Sequence, residues 1–229
     1  MVSNSEARLE AMITIVDHRL EDVLLNVYKS NNLPILLLTH GKGTAKSVVY
    51  EILGYEGQKK TLSISIQTKA MSDFLLKQIN DHIDFSKTGT GIAFTINVSS
   101  ISSILSKICI KADENLVIGS EDMPLASKEP YHLVVTIVNS GFFDQVMAAA
   151  KKAGAGGGTV VHARGLGSKE AMKYLGITIQ PEKDLVLILT PKEKKLAIME
   201  SIMHEVGLNT AGTGICFSLP VDSTIGVND

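Results

Sequence analysis

The sequence contains no tryptophan, and aromatic residues make up only 5% of its 229 positions. With six phenylalanines and five tyrosines, a core built on stacked aromatic rings is excluded. Hydrophobic residues nevertheless amount to 45% of the chain. This composition is typical of a globular protein whose core is aliphatic, built from Ile, Leu, Val, Ala and Met.

The chain also lacks an excess of charge, because its formal net charge is -2. No bulk attraction to nucleic acid or to an anionic membrane is therefore expected. The first ten residues are polar without a secretory signal pattern, and no apolar run approaches the roughly 20 residues that a membrane span needs. We expect a cytoplasmic protein with no membrane span and no nucleic-acid partner.

Cysteine and catalytic motifs are equally scarce. Cys109 and Cys216 are far apart and form no CxxC, so buried free thiols are expected. The sequence has no nucleophile elbow, no HExxH, no phosphate-binding GxxxxGK[ST] and no zinc-ligand spacing. These absences predict a protein that is not an enzyme and has no dedicated metal site.

What the sequence does contain is an internal repeat. Residues 89–94, GTGIAF, recur at residues 212–217 as GTGICF, a spacing of 123 residues. The pairs Asp22 and Asp144, His40 and His162, and Gly43 and Gly165 are each 122 residues apart. An ordered series of matches at nearly constant spacing indicates a duplication. We call residues 11–110 the first copy, residues 131–229 the second copy, and the acidic, turn-rich residues 111–130 the linker.

Hydrophobic periodicity predicts the order β-α-β-β-α-β in both copies. Strands are predicted at residues 12–16, 35–39, 62–66, 92–98, 133–138, 159–163, 185–189 and 215–219, and helices at 21–30, 71–83, 142–153 and 192–206. This order predicts an α+β fold, the ferredoxin-like split β-α-β arrangement, repeated twice in tandem. Further expectations are a strand or helix at 101–110, a short strand at 116–118, and a short amphipathic helix within 46–61 and within 168–184.

Two glycine-rich segments in each copy predict an anion site, because glycine lets backbone N–H groups converge on a ligand. The first segment adds cations in both copies, Lys42 and Lys46 or Arg164 and Lys169. Amides together with two cations suit phosphate or a nucleotide. Tight turns alone would also require these glycines, and His40 and His162 are most simply hydrogen-bonded residues at strand ends.

The sequences GGTVVHARGLG at residues 157–167 and NTAGTGICF at residues 209–217 resemble the PII family of nitrogen-regulatory proteins. The resemblance covers most of the second copy and, through the repeat, most of the first. It implies trimers of ferredoxin-like subunits that bind ATP or ADP between subunits, sense 2-oxoglutarate with Mg, and dock a mobile loop onto target proteins. It therefore implies an adenine nucleotide as ligand, although the residues alone make no cofactor certain.

The resemblance also implies roles for individual residues. It places Thr159 near the adenine, Gly165 and Gly167 at the base of the mobile loop, and the amides of Gly212 and Gly214 on the phosphates. Together with the cations and threonines of the glycine-rich segments, the full set of candidate ligand-binding residues is Thr159, Arg164, Gly165, Gly167, Lys169, Gly212, Thr213, Gly214, Lys42, Gly43, Gly89, Thr90 and Gly91.

The sequence departs from the family in its cations. Ile215 and Ile92 stand where the family has a lysine, Lys169 stands in place of a glutamine, and the basic residues after the last strand are missing. Losing charge-assisted bonds weakens triphosphate binding.

We therefore expect a divergent, homo-oligomeric regulator of a target protein in nitrogen metabolism that binds a small anion between subunits or repeats. A ligand-free scaffold and a metal-binding trimer of the same architecture remain open alternatives.

Overall fold

The computed structural model describes residues 8–31, 33–44, 58–113, 130–164, 172–174, 177–179 and 182–227, with the backbone alone at 172–174 and 177–179. The chain divides into two compact units. Unit 1 comprises Met1–His40, Lys60–Pro130 and Val221–Asp229. Unit 2 comprises Gly41–Lys59 and Tyr131–Pro220. The bounds 11–110, 111–130 and 131–229 of the copies and linker remain a proposal about the duplication.

Unit 1 contains most of the elements of the first copy. They are β1 (Leu9–Asp17), a 3-10 turn (His18–Leu20), α1 (Glu21–Ser30), β2 (Leu36–Gly43, which ends in unit 2), β3 (Lys59–Thr68), α2 (Lys69–His82), β4 (Gly91–Asn97) and α3 (Ser103–Asp113). Strand β1 lies between β3 and β4 and is antiparallel to both. The element order and these neighbours are those of the predicted ferredoxin-like fold.

Local signals explain where the helices of unit 1 begin and end. The hydroxyl of Thr68 accepts a hydrogen bond from the amide of Met71 at 3.2 Å and so caps the start of α2. The side chain of Asn31 donates to the carbonyl of Val27 at 2.7 Å, directly after α1. This bond satisfies one of the carbonyl groups that the end of a helix leaves without a partner.

Unit 2 repeats the architecture. Its elements are β5 (Tyr131–Asn139), α4 (Phe143–Lys152), β6 (Thr159–Arg164), β7 (Met172–Tyr174), β8 (Ile177–Ile179), β9 (Glu182–Pro191), α5 (Lys195–Val206) and β10 (Ile215–Pro220). The antiparallel pairs β10–β5, β5–β9 and β9–β6 give the ferredoxin-like strand order. The predicted α+β fold in two tandem copies is confirmed.

Both cores are aliphatic, as the composition predicts. The core of unit 1 includes Met12, Leu24, Leu75 and Ile79, with Tyr28 buried among them. The Tyr28 hydroxyl donates to Thr14 Oγ1 at 2.9 Å and lies 2.9 Å from Ser63 Oγ, so this buried polar atom is satisfied.

In unit 2 the helices cover one face of the sheet. The corresponding core residues are Val134, Val146, Val160, Val186, Ile188, Ile198 and Ile202.

Two short segments belong to a unit that chain order alone does not predict. Residues 41–44 belong to unit 2, where the Thr44 hydroxyl donates to the Gly158 carbonyl at 3.0 Å and accepts from the Gly158 amide at 2.8 Å. At the other end of the chain, β11 (Thr224–Ile225) pairs with β4 in unit 1. There the Arg8 guanidinium lies 2.7 Å from Asp222 Oδ1.

The amphipathic helix predicted within residues 168–184 is wrong. Residues Met172–Tyr174 and Ile177–Ile179 instead form an antiparallel pair of strands. The helical pattern consisted of Ala171, Met172 and Leu175 only. The following residues 177–179 are all β-branched and favour a strand.

Four further predictions have different outcomes. The segment predicted at 101–110 as a strand or helix is the helix α3, and residues 111–113 complete it. The strand predicted at 116–118 lies outside the described residues. So do residues 46–57 of the helix predicted within 46–61. Both thiols are free, as expected, but Cys216 is only partly buried whereas Cys109 is buried. Burial raises the pKa of both.

Among the described residues, no helix combines the length and the apolar character that crossing a bilayer would require.

One buried carboxyl group weakens unit 1. The Glu10 side chain is 0% exposed, and its cations Arg8 and Lys69 lie 3.7 and 3.8 Å away, beyond hydrogen-bond distance. Both cations contact other carboxylates more closely, Asp222 at 2.7 Å and Asp73 at 2.9 Å. Burial therefore raises the pKa of Glu10 above its ordinary value of 4.5, with Lys69 opposing the rise.

Glu10→Gln is expected to raise the melting temperature by a few degrees at about pH 7.5. A raised pKa in the folded state means that the folded protein binds the Glu10 proton more tightly than the unfolded chain does. Stability is therefore lost as the pH rises from 4.5 through the raised pKa. Melting curves of both proteins from about pH 4.5 to about pH 7.5 test this. A gain that does not shrink toward the acidic end would contradict it.

Candidate functional site

The candidate site is a cleft of about 530 Å³ in unit 2, lined by Ser140, His162, Ala163, Arg164 and Glu182. Ser140 directly follows β5, and the other four residues lie on β6 and β9. His162 and Arg164 are two positions apart on one strand, so their side chains leave the sheet on the same face. Arg164 is opposite Glu182 in the register of β6 and β9.

A buried carboxylate fixes one wall of the cleft. Asp184 is 1% exposed, and its Oδ1 lies 2.9 Å from Nδ1 of His162. Its Oδ2 accepts from the amide of Gly141 at 3.0 Å. Since Nδ1 of the imidazole is engaged with Asp184, Nε2 is the ring nitrogen available to a ligand.

The glycine-rich segment at residues 209–214 joins this wall through Asn139. The amide of Asn139 donates to the Gly212 carbonyl at 3.0 Å, and its side-chain nitrogen donates to the Ala211 carbonyl at 2.9 Å. Lys183 in turn donates to Asn139 Oδ1 at 2.7 Å. The glycine segment, a lysine and the residue before Ser140 are thereby held together.

The amides of this segment already have partners. The Gly212 amide donates to Oγ1 of Thr210 at 3.2 Å. The Thr213 amide donates to the Thr210 carbonyl at 3.1 Å. The amide of Gly214 donates to the Val206 carbonyl at 2.7 Å. An anion would have to displace these bonds to use the amides, so the predicted contacts of Gly212 and Gly214 with phosphate remain a prediction.

Packing gives an independent reason for these glycines. A Cβ on Gly214 would lie 2.5 Å from the Val206 carbonyl oxygen, and one on Gly212 would lie 3.0 Å from the same oxygen. Thr213, between them, has a φ of 42°, in the left-handed region. The tight turn alone thus accounts for the Gly-Thr-Gly sequence in the second copy.

Three other predicted ligand residues lie in paired strands of unit 2. Gly43 is opposite Thr159 and Lys42 is opposite Val160 in the β2–β6 pairing. Thr159 is buried, and the Gly43 amide donates to the Gln58 carbonyl at 2.9 Å. Nearby, a Cβ on Gly41 would lie 2.4 Å from the Val160 carbonyl oxygen, so this glycine allows the two strands to approach.

The corresponding glycine segment of unit 1, Gly89–Thr90–Gly91, is held by different partners. The buried ammonium of Lys60 donates to the Gly89 carbonyl, and the Asp17 amide donates to the Thr90 carbonyl at 2.7 Å. Burial lowers the pKa of Lys60. Lys60, which corresponds to Lys183 in the repeat, is therefore bonded to the backbone of its own unit.

Arg19 fixes the adjacent acid, Asp17. Its Nε and Nη2 donate to the two carboxylate oxygens of Asp17 at 2.8 and 3.0 Å, and this bidentate contact lowers the pKa of Asp17.

Unit 1 contains a second group of polar side chains, of which the sequence analysis identified only His40. His18 Nδ1 and His40 Nε2 lie 3.1 and 3.0 Å from Oε2 of Glu21. Thr61 Oγ1 donates to the same oxygen at 2.6 Å, and this bond, with His40, lowers the pKa of Glu21. The repeat drew attention to His40 alone. The signal that was overlooked is the three-residue spacing of His18 and Glu21 at a helix start.

Gly165, Gly167 and Lys169 of the predicted site lie outside the described residues, as do Ala45 and Lys46. The structure therefore brings together Arg164 and His162 in unit 2, where the 209–214 segment is bonded to Asn139. Gly89, Thr90 and Gly91 lie in unit 1.

Several known proteins are similar to part of this chain. The family model "Nitrogen regulatory protein P-II" matches residues 131–229. Among solved structures, Arabidopsis thaliana PII bound to citrate is 26% identical, with a TM-score of 0.32, over 40% of this chain and 75% of that one.

CutA from Synechococcus elongatus is 13% identical, with a TM-score of 0.33, over 44% of this chain and 83% of that one. The divalent ion tolerance protein CutA1 from Ehrlichia chaffeensis is 8% identical, with a TM-score of 0.38, over 47% and 97% of the two chains. No curated protein matches the sequence. The family match thus covers the second copy, residues 131–229, which is similar to the nitrogen regulatory protein P-II family.

Proposed function

We propose that this protein is a PII-like regulator whose second copy binds a small anionic metabolite or nucleotide and thereby controls a target protein in nitrogen metabolism. The observation that carries the proposal is the cleft of about 530 Å³ beside His162 and Arg164, within the copy that matches the P-II family. Its volume is in the range of small-molecule sites.

The lining of the cleft supports an anionic ligand. The guanidinium of Arg164 offers a planar fork of donors that fits phosphate or carboxylate bidentately. His162 presents Nε2, because its Nδ1 contacts Asp184 at 2.9 Å. Glu182, opposite Arg164 in the strand register, can accept a hydrogen bond from a ligand hydroxyl or amine. A nucleotide has such groups, whereas fully ionised phosphate does not.

The remaining predicted ligand residues belong to the same proposal. Gly165, Gly167 and Lys169 follow Arg164 within five positions of the sequence and are proposed as further ligand residues. The first-copy residues Lys42, Gly43, Gly89, Thr90 and Gly91 are proposed as the duplicate set, and ATP, ADP or another adenine nucleotide as the ligand.

The proposal also includes a cytoplasmic homo-oligomer that is not an enzyme. Exposed apolar side chains support self-association, since surfaces of this kind usually have a partner. They include Leu37 and Leu38 on β2, and Ile215 and Phe217 on β10.

The alternative of a ligand-free scaffold is favoured by the missing cations, including Ile215 where the family has a lysine. The scaffold predicts a cleft filled by side chains. An open cleft with an arginine at its edge instead supports retained binding.

A thermal-shift panel tests the proposed function. The full chain is melted with ATP, ADP, AMP, cyclic nucleotides and 2-oxoglutarate, each with and without Mg. A ligand at about 100 times its Kd stabilises the folded state by about 2.7 kcal/mol, so at least one compound should raise the melting temperature by several degrees. A flat response across the panel would refute nucleotide and 2-oxoglutarate sensing.

A further inference from the structure

We propose that unit 1 binds a divalent transition-metal ion through His18, Glu21 and His40. Nδ1 of His18, Nε2 of His40 and a carboxylate oxygen of Glu21 lie within 4.8 Å of one another. This site is separate from the anion cleft of unit 2, and its proposal does not depend on the proposed function.

The fold of unit 1 explains why these side chains meet. The Asp17 side chain accepts from the Arg19 amide at 3.0 Å and starts the short turn that contains His18. Helix α1 begins immediately afterwards, at Glu21, so His18 and Glu21 are three residues apart on one turn. His40 reaches the same point from β2.

The donor set suits borderline metals. Two imidazole nitrogens and one carboxylate oxygen are ligands typical of Zn²⁺, Co²⁺, Ni²⁺ and Cu²⁺, whereas Mg²⁺ prefers oxygen alone. Tetrahedral bonds of about 2.0–2.2 Å place neighbouring donor atoms about 3.3 Å apart. Glu21 Oε2 lies 3.1 Å from His18 Nδ1 and 3.0 Å from His40 Nε2, so only small side-chain movements would admit an ion.

The solvent exposure of the three side chains, and the hydrogen bond that orients Glu21, are also typical of an open metal site. The side chains of His18 and His40 are 47% and 62% exposed, so solvent can reach the ion and fill its remaining coordination positions. Glu21 is 25% exposed, and the Thr61 hydroxyl orients its carboxylate with a 2.6 Å hydrogen bond. Such outer hydrogen bonds hold metal ligands in place. The two rings stand edge to face, with centroids 5.0 Å apart.

The second copy shows that the fold alone does not require this cluster. At the positions equivalent to His18, Glu21 and His40 it has Ser140, Phe143 and His162. There the strand-end histidine is held by one carboxylate, Asp184, at 2.9 Å. In unit 1, by contrast, two histidines and a hydroxyl converge on one oxygen of Glu21. A bound metal ion would explain why two imidazoles lie beside one carboxylate oxygen, because each imidazole could then bind the ion.

The test uses the full chain without an affinity tag, stripped of metal by a chelator. Co²⁺ is titrated and followed by its visible absorption, and Zn²⁺ is titrated against a coloured chelator. We expect about one ion per chain, with His18→Ala and His40→Ala each weakening binding by about 10–100-fold or more, since even outer partners contribute that much. The control His82→Ala, which removes an exposed histidine of unit 1 outside the cluster, should leave the affinity unchanged.

Two outcomes would overturn the metal site: the absence of saturable binding, or binding that the His82→Ala variant loses as much as the His18→Ala variant does. Melting curves without metal verify that each variant is folded. If an alanine variant is unfolded, His18→Gln or His40→Gln replaces it, since glutamine keeps a polar side chain but supplies no imidazole. Metal binding is measured without nucleotide, so failure of the anion site leaves this result unaffected.

Discussion

Gly214→Ala and Gly91→Ala are each expected to lower the free energy of unfolding by about 2–4 kcal/mol. A Cβ on Gly214 would lie 2.5 Å from the Val206 carbonyl oxygen, and one on Gly91 would lie 2.1 Å from the Ile15 carbonyl oxygen. Both obstacles are backbone atoms, which cannot turn away as a side chain can. Gly91 also has a φ of 152°, which disfavours any residue with a Cβ.

Gly156→Ala is the matched control in unit 2, because a Cβ there would meet no atom within 4 Å. It should change the stability by less than about 0.5 kcal/mol. Urea unfolding of the three variants measures these differences. If Gly214→Ala and Gly91→Ala unfold at the same urea concentration as the control, packing does not explain the two Gly-Thr-Gly segments, and ligand binding becomes the better explanation.

Asp184→Ala should destabilise unit 2 by about 2–4 kcal/mol. The Asp184 carboxylate is buried and serves both the Gly141 amide at 3.0 Å and the His162 ring at 2.9 Å. Hydrogen bonds to charged groups contribute about 1.5–3 kcal/mol each, and the alanine leaves both donors without their acceptor. Because His162 lines the cleft, the variant should also lose affinity for the ligand.

Asp184→Asn separates these effects, since its amide oxygen can still accept one of the two bonds. A loss of about 1 kcal/mol is expected for it by urea unfolding. If Asp184→Ala is as stable as the wild type, the carboxylate does not hold the cleft wall, and the account of His162 orientation is wrong.

Much of the fold was predictable because it depends on local patterns. The helix Glu21–Ser30 was predicted with its observed bounds, since the spacing of its apolar residues marks it. The strand Thr159–Arg164 follows a β-branched run in the same way. The repeat strengthened both predictions, because each copy supported the assignment in the other.

The errors arose where the pattern was short or where distant segments meet. The helical spacing of Ala171, Met172 and Leu175 could not distinguish a helix from the observed pair of strands, β7 and β8. The membership of residues 41–44 in unit 2 depends on the mutual bonds of Thr44 and Gly158, which are 114 positions apart. No local preference encodes such a pairing.

The candidate site was predictable in part. Arg164 was identified as a cation next to a glycine segment, and it lines the observed cleft. His162 was noted through the repeat only as a strand-end residue, whereas Ser140 and Glu182 were not identified, because strand register alone brings them beside Arg164. The glycine amides were expected to face an anion, but their internal hydrogen bonds depend on the turn around Thr210.

The most direct test of the central claim is a calorimetric titration of wild type and Arg164→Ala with the nucleotide or metabolite that gives the largest thermal shift. Lys192→Ala, an exposed cation outside the cleft, is the control. The account predicts saturable binding by the wild type and by Lys192→Ala, with about a 10–100-fold loss in Arg164→Ala, because a charge-assisted pair contributes about 1.5–3 kcal/mol. Equal affinity in all three proteins, or no binding in any, would contradict an anion site in the second copy.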